Sequence, residues 1–269
     1  MVIWSAEVKV LNRAGGGIML SELKLLTLAQ LEKAAIDSGF DVVGGLVYSL
    51  MSFRSSQSPL KVWLGILDAQ PLVGLSMANV AAELDRPSIS APLTVEDCSA
   101  WIVAMDFVDL DRLLNRAFTL SRALPNQLLE SWEQQIQALS ATERESVVRQ
   151  RVGQELFREG LLALWAGRCA VTDLDEPVLL RASHAKPWKD ANDAERLDVY
   201  NGLLLAAHLD AAFDKGLITV DESGAVVPSP FLSPMSRQVL GLASERPIVK
   251  LRVQHQPYME WHREHVFQK

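Results

Sequence analysis

In a chain with only five histidines, His184 and His208 lie close together, with Asn201 between them and Asp210 two positions beyond. These residue types move protons and hold metal ions. A neutral imidazole with a reference pKa of about 6.5 suits a general base. Imidazole and carboxylate are ordinary ligands of a divalent cation, and a carboxamide can accept from a ring N–H or brace a loop. Arg181, Lys186 and Lys189 flank the group and suit contact with an anionic substrate such as a phosphate.

Such residues act together only if the chain folds them together. "PVLLRASH" is a short apolar segment that Pro187 stops from continuing as a paired strand. "KDANDAERLDVY" is too charged for a core, so it is a loop. "NGLLLAA" reads as a second strand, with Asn201-Gly202 as a positive-φ turn at its start. "HLDAAFDKG" has helix-forming composition and stops at Gly216. Strand, loop, strand, helix therefore carries His184 at the end of one strand, Asn201 at the start of the next, and His208 at the head of the helix. His208 and Asp210 do not share a helix face, whereas Asp210 and Asp214 do; Asp214 reads as a residue tying down the turn before Gly216.

The order His–Asn–His on such a unit, within "RASHAKPW", "YNGLLL" and "HLDAAFDKGLI", resembles the HNH, or ββα-metal, nucleases, in the branch common in bacterial restriction-type proteins. The resemblance covers roughly residues 145–269 and stops short of the front of the chain. It implies a metal-dependent endonuclease acting on DNA, duplex rather than single-stranded. His184 would be the general base. Asn201 would orient it, either by accepting from the ring N–H or by bracing the loop. His208 and Asp210 would complete the site as metal ligands, with Mg2+ or Mn2+ as the cofactor, and Arg181, Lys186 and Lys189 would contact DNA. Many relatives carry an acidic ligand directly before the base; here that residue is Ser183, which shifts coordination toward Asp210 and water. Without a cysteine zinc knuckle, Leu203 to Leu205, Phe213 and Trp188 must hold the unit by packing.

The front reads as α+β. "TLAQLEKAAIDSG" is a helix with a capping box at Thr27 and Gln30 and a stop at Gly39. "GLVYSLMSF" reads as one strand. "PLKVWLGILD" alternates Val62, Leu64 and Ile66 against Trp63 and Gly65, and pairs with "QPLVGLSM" through the turn "DAQP". From Asp109 the spacing becomes helical, with Leu110, Leu113, Leu114, Ala117 and Phe118 on one face up to Pro125. A second helix carries Leu128, Leu129, Trp132, Ile136 and Leu139. A longer one opens at a capping box of Ser140 and Glu143 and closes at Gly167. The expected fold is α+β: residues 1–139 an N-terminal recognition or regulatory domain with a helical connector, residues 140–269 a ββα nuclease domain. In the tail, His255, His262 and His265 read as residues of a docking helix rather than a metal cluster.

Composition narrows the classes further. The net charge of −7 argues against a protein that coats nucleic acid non-specifically. Two cysteines, Cys98 and Cys169, exclude a disulfide framework and a four-cysteine zinc site. No apolar run approaches the ~18 residues of a membrane span, and the opening residues lack a secretory signal pattern. The expectation is a cytoplasmic protein with DNA as partner and no membrane; a homodimer and a small-molecule ligand of the N-terminal domain are also admitted. Two rivals stand beside the active endonuclease: a ligand-gated nuclease effector and a catalytically dead DNA-binding protein of the same fold.

Overall fold

The computed structural model describes residues 24–124, 127–138, 146–242 and 247–269. The chain divides into two compact units, residues 1–122 and 123–269.

The first unit is built on hairpins. Strands β1 (Val42–Val47), β2 (Leu50–Arg54), β3 (Val62–Leu67), β4 (Gln70–Leu75) and β5 (Ala100–Val103) pair in that order, each antiparallel to the next. The stretch expected as one strand, "GLVYSLMSF", is a hairpin. It reverses at Tyr48 and Ser49, whose φ angles are 50° and 64°, the two-residue turn whose twist matches its strands. Asp68 and Ala69 do the same between β3 and β4, where the sequence placed a turn. Every residue of β3 is buried, so its alternation separates two cores rather than core from solvent. One of them holds Leu50, Trp63, Leu67, Leu72 and Trp101.

Helix α1 (Leu25–Asp37) packs on β2. It begins ahead of Thr27, on Lys24 and with no side-chain cap, so the expected capping box does not form; Gly39, at φ 92°, does supply the stop. Helices α2 (Ala78–Glu83) and α3 (Phe107–Ala123) complete the unit. The α3 face is as spaced in the sequence: Leu110, Leu113, Leu114 and Ala117 are buried, and Phe118 meets Phe40 edge-on at 5.7 Å.

In the second unit, α4 (Gln127–Ala138) packs on α5 (Ser146–Leu164) and buries Leu128, Trp132 and Ile136. That packing groups α4 with the second unit, whereas the sequence assigned it to the connector of the first. Pro125, Leu139 and the capping box of Ser140 and Glu143 lie outside the described residues, as does the boundary expected near 140. Helix α5 lies against β6 (Leu180–His184), β7 (Gly202–Ala206) and the 3-10 turn Val199–Asn201. Strands β6 and β7 pair antiparallel from Leu180 opposite Ala206 to His184 opposite Gly202, and α7 (Ala207–Asp214) packs across both. Leu203, Leu204, Leu205 and Phe213 are buried, as this unit needs without a zinc knuckle.

Gly202 departs from expectation: its φ is −165°, extended rather than positive. It is glycine because a Cβ there would lie 2.5 Å from Phe157 Cζ and 2.6 Å from the Ser183 carbonyl oxygen. Beyond the short α6 (Asp193–Arg196), the hairpin β8 (Ile218–Val220) and β9 (Val226–Pro228), and α8 (Pro234–Val239), the chain ends in α9 (Gln256–His265), which packs on β8. There His262 is buried, its ring stacked on Phe213 at 3.9 Å, with Nδ1 2.9 Å from Thr219 Oγ1 and Nε2 3.1 Å from the Phe213 carbonyl. His255, also buried, accepts from the Arg252 N–H at 3.0 Å. Both serve the docking of α9.

Candidate active site

His184 ends β6 because the chain must turn before Pro187. Its ring lies flat on Phe157 of α5, centroids 3.7 Å apart and 13° from parallel, with Trp188 edge-on at 5.8 Å. Its Nε2 is 2.9 Å from the Arg196 carbonyl oxygen. A carbonyl only accepts, so Nε2 carries the hydrogen and Nδ1 is left as a bare lone pair. Burial pushes the ring down to about 4 from its ordinary 6.5. The ring therefore does not sit near its reference value; it is a weaker base than free imidazole but stays neutral throughout physiological pH.

The loop that supplies the Arg196 carbonyl is held by Asn201. That side chain is fully buried. Its Oδ1 accepts from the Lys186 N–H at 2.8 Å, and its Nδ2 donates to the carbonyls of Glu195 at 2.9 Å and Lys186 at 3.2 Å. Of the two roles open to it, Asn201 takes the brace. It fixes Glu195, and so the neighbouring carbonyl that orients His184. Lys186 is part of the same closure: its Nζ pairs with the Glu195 carboxylate at 2.7 and 2.8 Å, and Glu195 in turn caps α6 with Asn192. This lysine is committed to the loop. Arg181 is exposed, with its guanidinium turned back on the carbonyls of Val178 and Leu180, while Lys189 is exposed beside His184.

On the other side, Ser183 is buried and its hydroxyl donates to Asp210. Asp214 lies one helical turn further along α7. Burial raises its carboxyl to about 6, and the negative charge of Asp210 adds to the rise. His208, in the first turn of the same helix, is exposed. Among the described residues no three His, Cys, Asp or Glu side chains cluster as a metal cage. Two carboxylates crowded on one helix face, with one hydroxyl beside them, suit a hard divalent ion that keeps most of its waters. The four-residue spacing of Asp214 from Asp210 was visible in the sequence, where Asp214 read as tying down the turn before Gly216. It missed Phe157, which lies outside every motif, and the Arg196 carbonyl, which no residue type announces.

A cleft of about 620 Å³ opens against His184. Trp188, Lys189, Asp214, Trp261 and His265 are among its lining residues, whereas neither His208 nor Asp210 is. Residues 169–221, which span β6, the braced loop, β7 and α7, match the family model described as HNH endonuclease. The C-terminal part of the chain contains an HNH domain over these residues. No curated protein matches the chain. The match is narrower than the resemblance seen in the sequence, and leaves α5 and α9 outside the recognised HNH stretch although both contribute to the cleft or its base. No helix among the described residues is long and apolar enough to cross a membrane.

Proposed function

We propose that the HNH domain hydrolyses DNA phosphodiester bonds with a divalent metal ion, Mg2+ or Mn2+. The observation that carries this is the His184 ring: held on Phe157, donating from Nε2 to the Arg196 carbonyl so that Nδ1 is left bare, on a residue that lines a cleft. A base must be unprotonated and aimed before substrate arrives. Nδ1 takes a proton from water as the water oxygen bonds phosphorus; the bond from phosphorus to the 3′ oxygen breaks, and that oxygen takes up a proton from solvent. A bound metal ion would stabilise charge on the phosphate and the departing oxygen. Asp210 and Asp214 would hold it, with Ser183 keeping the Asp210 carboxylate in place. Asn201 holds the loop and touches no reacting atom. Lys189 and Arg181 would meet the flanking backbone.

We assign the first unit to target recognition or regulation, in a restriction or defence role, because it has its own core. Gating by a small molecule has one observation in its favour, a cleft of about 450 Å³ in the first unit, whose lining includes Ala78, Ala81, Ala100 and Arg86.

The test is supercoiled plasmid, methylated and unmethylated, incubated with wild type and His184→Ala in Mg2+, Mn2+ or EDTA. Metal-dependent nicking or linearisation is expected, with a loss of about 100-fold or more in the mutant. Wild type as inert as the mutant in every metal would sink the ungated enzyme. Cleavage that EDTA leaves intact would sink the metal dependence.

A further inference from the structure

The cleft has a second wall that the nuclease chemistry does not use. It comes from α9, beyond the matched stretch. There the rings of Trp261 and His265 stack at 4.5 Å, 14° from parallel, and His265 Nδ1 lies 3.0 Å from the Trp261 carbonyl. As the carbonyl accepts, Nδ1–H is the donor, and the ring is fixed before any ligand arrives. Trp261 is half-buried and His265 exposed, so the free face of this two-ring stack belongs to the histidine. Trp188 lines the same cleft, immobilised by the edge contact with His184 and by the Arg196 guanidinium 5.1 Å over its ring.

We propose that this cleft receives an unpaired DNA strand, with one base stacked on His265, so that the domain cuts single-stranded or locally opened DNA. The inference rests on taking the cleft as the nuclease site, and it narrows the substrate against the duplex expected from sequence.

Two features carry it. Interleaved aromatic rings and cations are how single strands are held, because every base has a stacking face and every nucleotide a phosphate. Here the rings stand with Lys189 and Lys215; the carboxylates of Asp190 and Asp214 line the cleft as well, the latter on the side assigned to the metal ion. The volume of about 620 Å³ is that of a pocket for one small ligand, room for a nucleotide. A base stacked within a duplex has no free face to offer the His265 ring, whereas an unpaired base has one.

The experiment uses the full-length His184→Ala protein, which binds without cutting, in Mg2+. Fluorescence anisotropy compares a labelled oligonucleotide with its duplex and with single-stranded RNA of the same sequence. His265→Ala and His265→Phe are made on that background. A second oligonucleotide carries 2-aminopurine, whose emission falls when it stacks. The single DNA strand should bind about tenfold or more tighter than duplex. His265→Ala should weaken it by about fivefold or more and abolish the 2-aminopurine quenching, and His265→Phe should preserve both. Thermal melts matching the parent show that the variants fold. Equal or tighter duplex binding, or an unchanged His265→Ala, overturns the proposal. A His265→Phe as weak as His265→Ala overturns the stacking platform, and tighter RNA binding overturns the assignment to DNA. Plasmid cleavage by wild type without single-strand preference removes this proposal and leaves the nuclease. His265-dependent binding by a wild type that never cuts does the reverse.

Discussion

The chemistry of His184 is decided by neighbours that have no titratable group of their own. Phe157 and the surrounding burial keep the ring neutral, and a main-chain carbonyl chooses which nitrogen is bare. Asn201 acts one step further back, so its removal should be felt as lost structure first. Asn201→Ala leaves the Lys186 N–H and the Glu195 carbonyl without their buried partner, at a cost of about 1–3 kcal/mol for each group left unsatisfied. Urea unfolding should show the midpoint falling and cleavage falling with it; a fully stable variant without activity would instead place Asn201 on the substrate. The proposed metal ligands separate more cleanly. Asp210→Asn and Asp214→Asn should each weaken Mn2+ binding, read by electron paramagnetic resonance, by about tenfold or more, while His208→Ala leaves it unchanged. Retained affinity in Asp214→Asn with loss in His208→Ala would return the site to the ligand pair first suggested by the sequence.

Among the elements, the close approach of β7 to α5 sets the geometry of the base. Gly202 faces both the Phe157 ring and the Ser183 carbonyl. Gly202→Ala should therefore destabilise the second unit by about 1–3 kcal/mol and displace the ring on which His184 rests, lowering both melting temperature and cleavage; a variant with wild-type melting and activity would show that the contact relaxes freely. This also marks what was legible beforehand. The ββα order could be read because Pro187, the charged loop and Gly216 punctuate it, and because three consecutive leucines at 203–205 can only be core. The reason for Gly202 could not: the Asn-Gly pair suggested a positive-φ turn, and only the fold reveals a steric one. The hairpin at Tyr48 and Ser49 was hidden for the opposite reason, since neither residue is a usual carrier of positive φ. Helix α1 starts on Lys24 with no side-chain cap, so the apparent capping box at Thr27 had no structural counterpart. The α3 face was legible, because hydrophobic spacing survives whatever the caps do. At the candidate site, residue types drew attention to His184, Asn201 and Asp210, while Phe157 and Trp261 lie on helices outside the motif and His265 read only as part of a docking helix.

Taken whole, the molecule couples acid stability to its packed histidines. Burial holds both His255 and His262 at about 4, while in the unfolded chain they titrate near 6.5. Below 6.5 the unfolded state binds more protons, so stability is full above that pH, declines as pH falls through the window, and is lost below about 4. Each contributes up to roughly 3 kcal/mol over that span. Denaturant midpoints measured from pH 8 to 4.5 should fall steadily once pH drops below about 6.5; a flat profile would mean that both rings reach solvent. These residues tie α9 to the HNH domain, so acid should loosen the second wall of the cleft. The Arg196 carbonyl has a consequence of another kind. Every amino acid brings a carbonyl, so no substitution at position 196 can delete the group that selects the histidine tautomer. What lineages of this chain must conserve is the path of a loop, through Asn201 and the pairing of Lys186 with Glu195. The letter at 196 is free to drift so far as the tautomer is concerned, and an alignment column would give no hint of the most consequential hydrogen bond in the site.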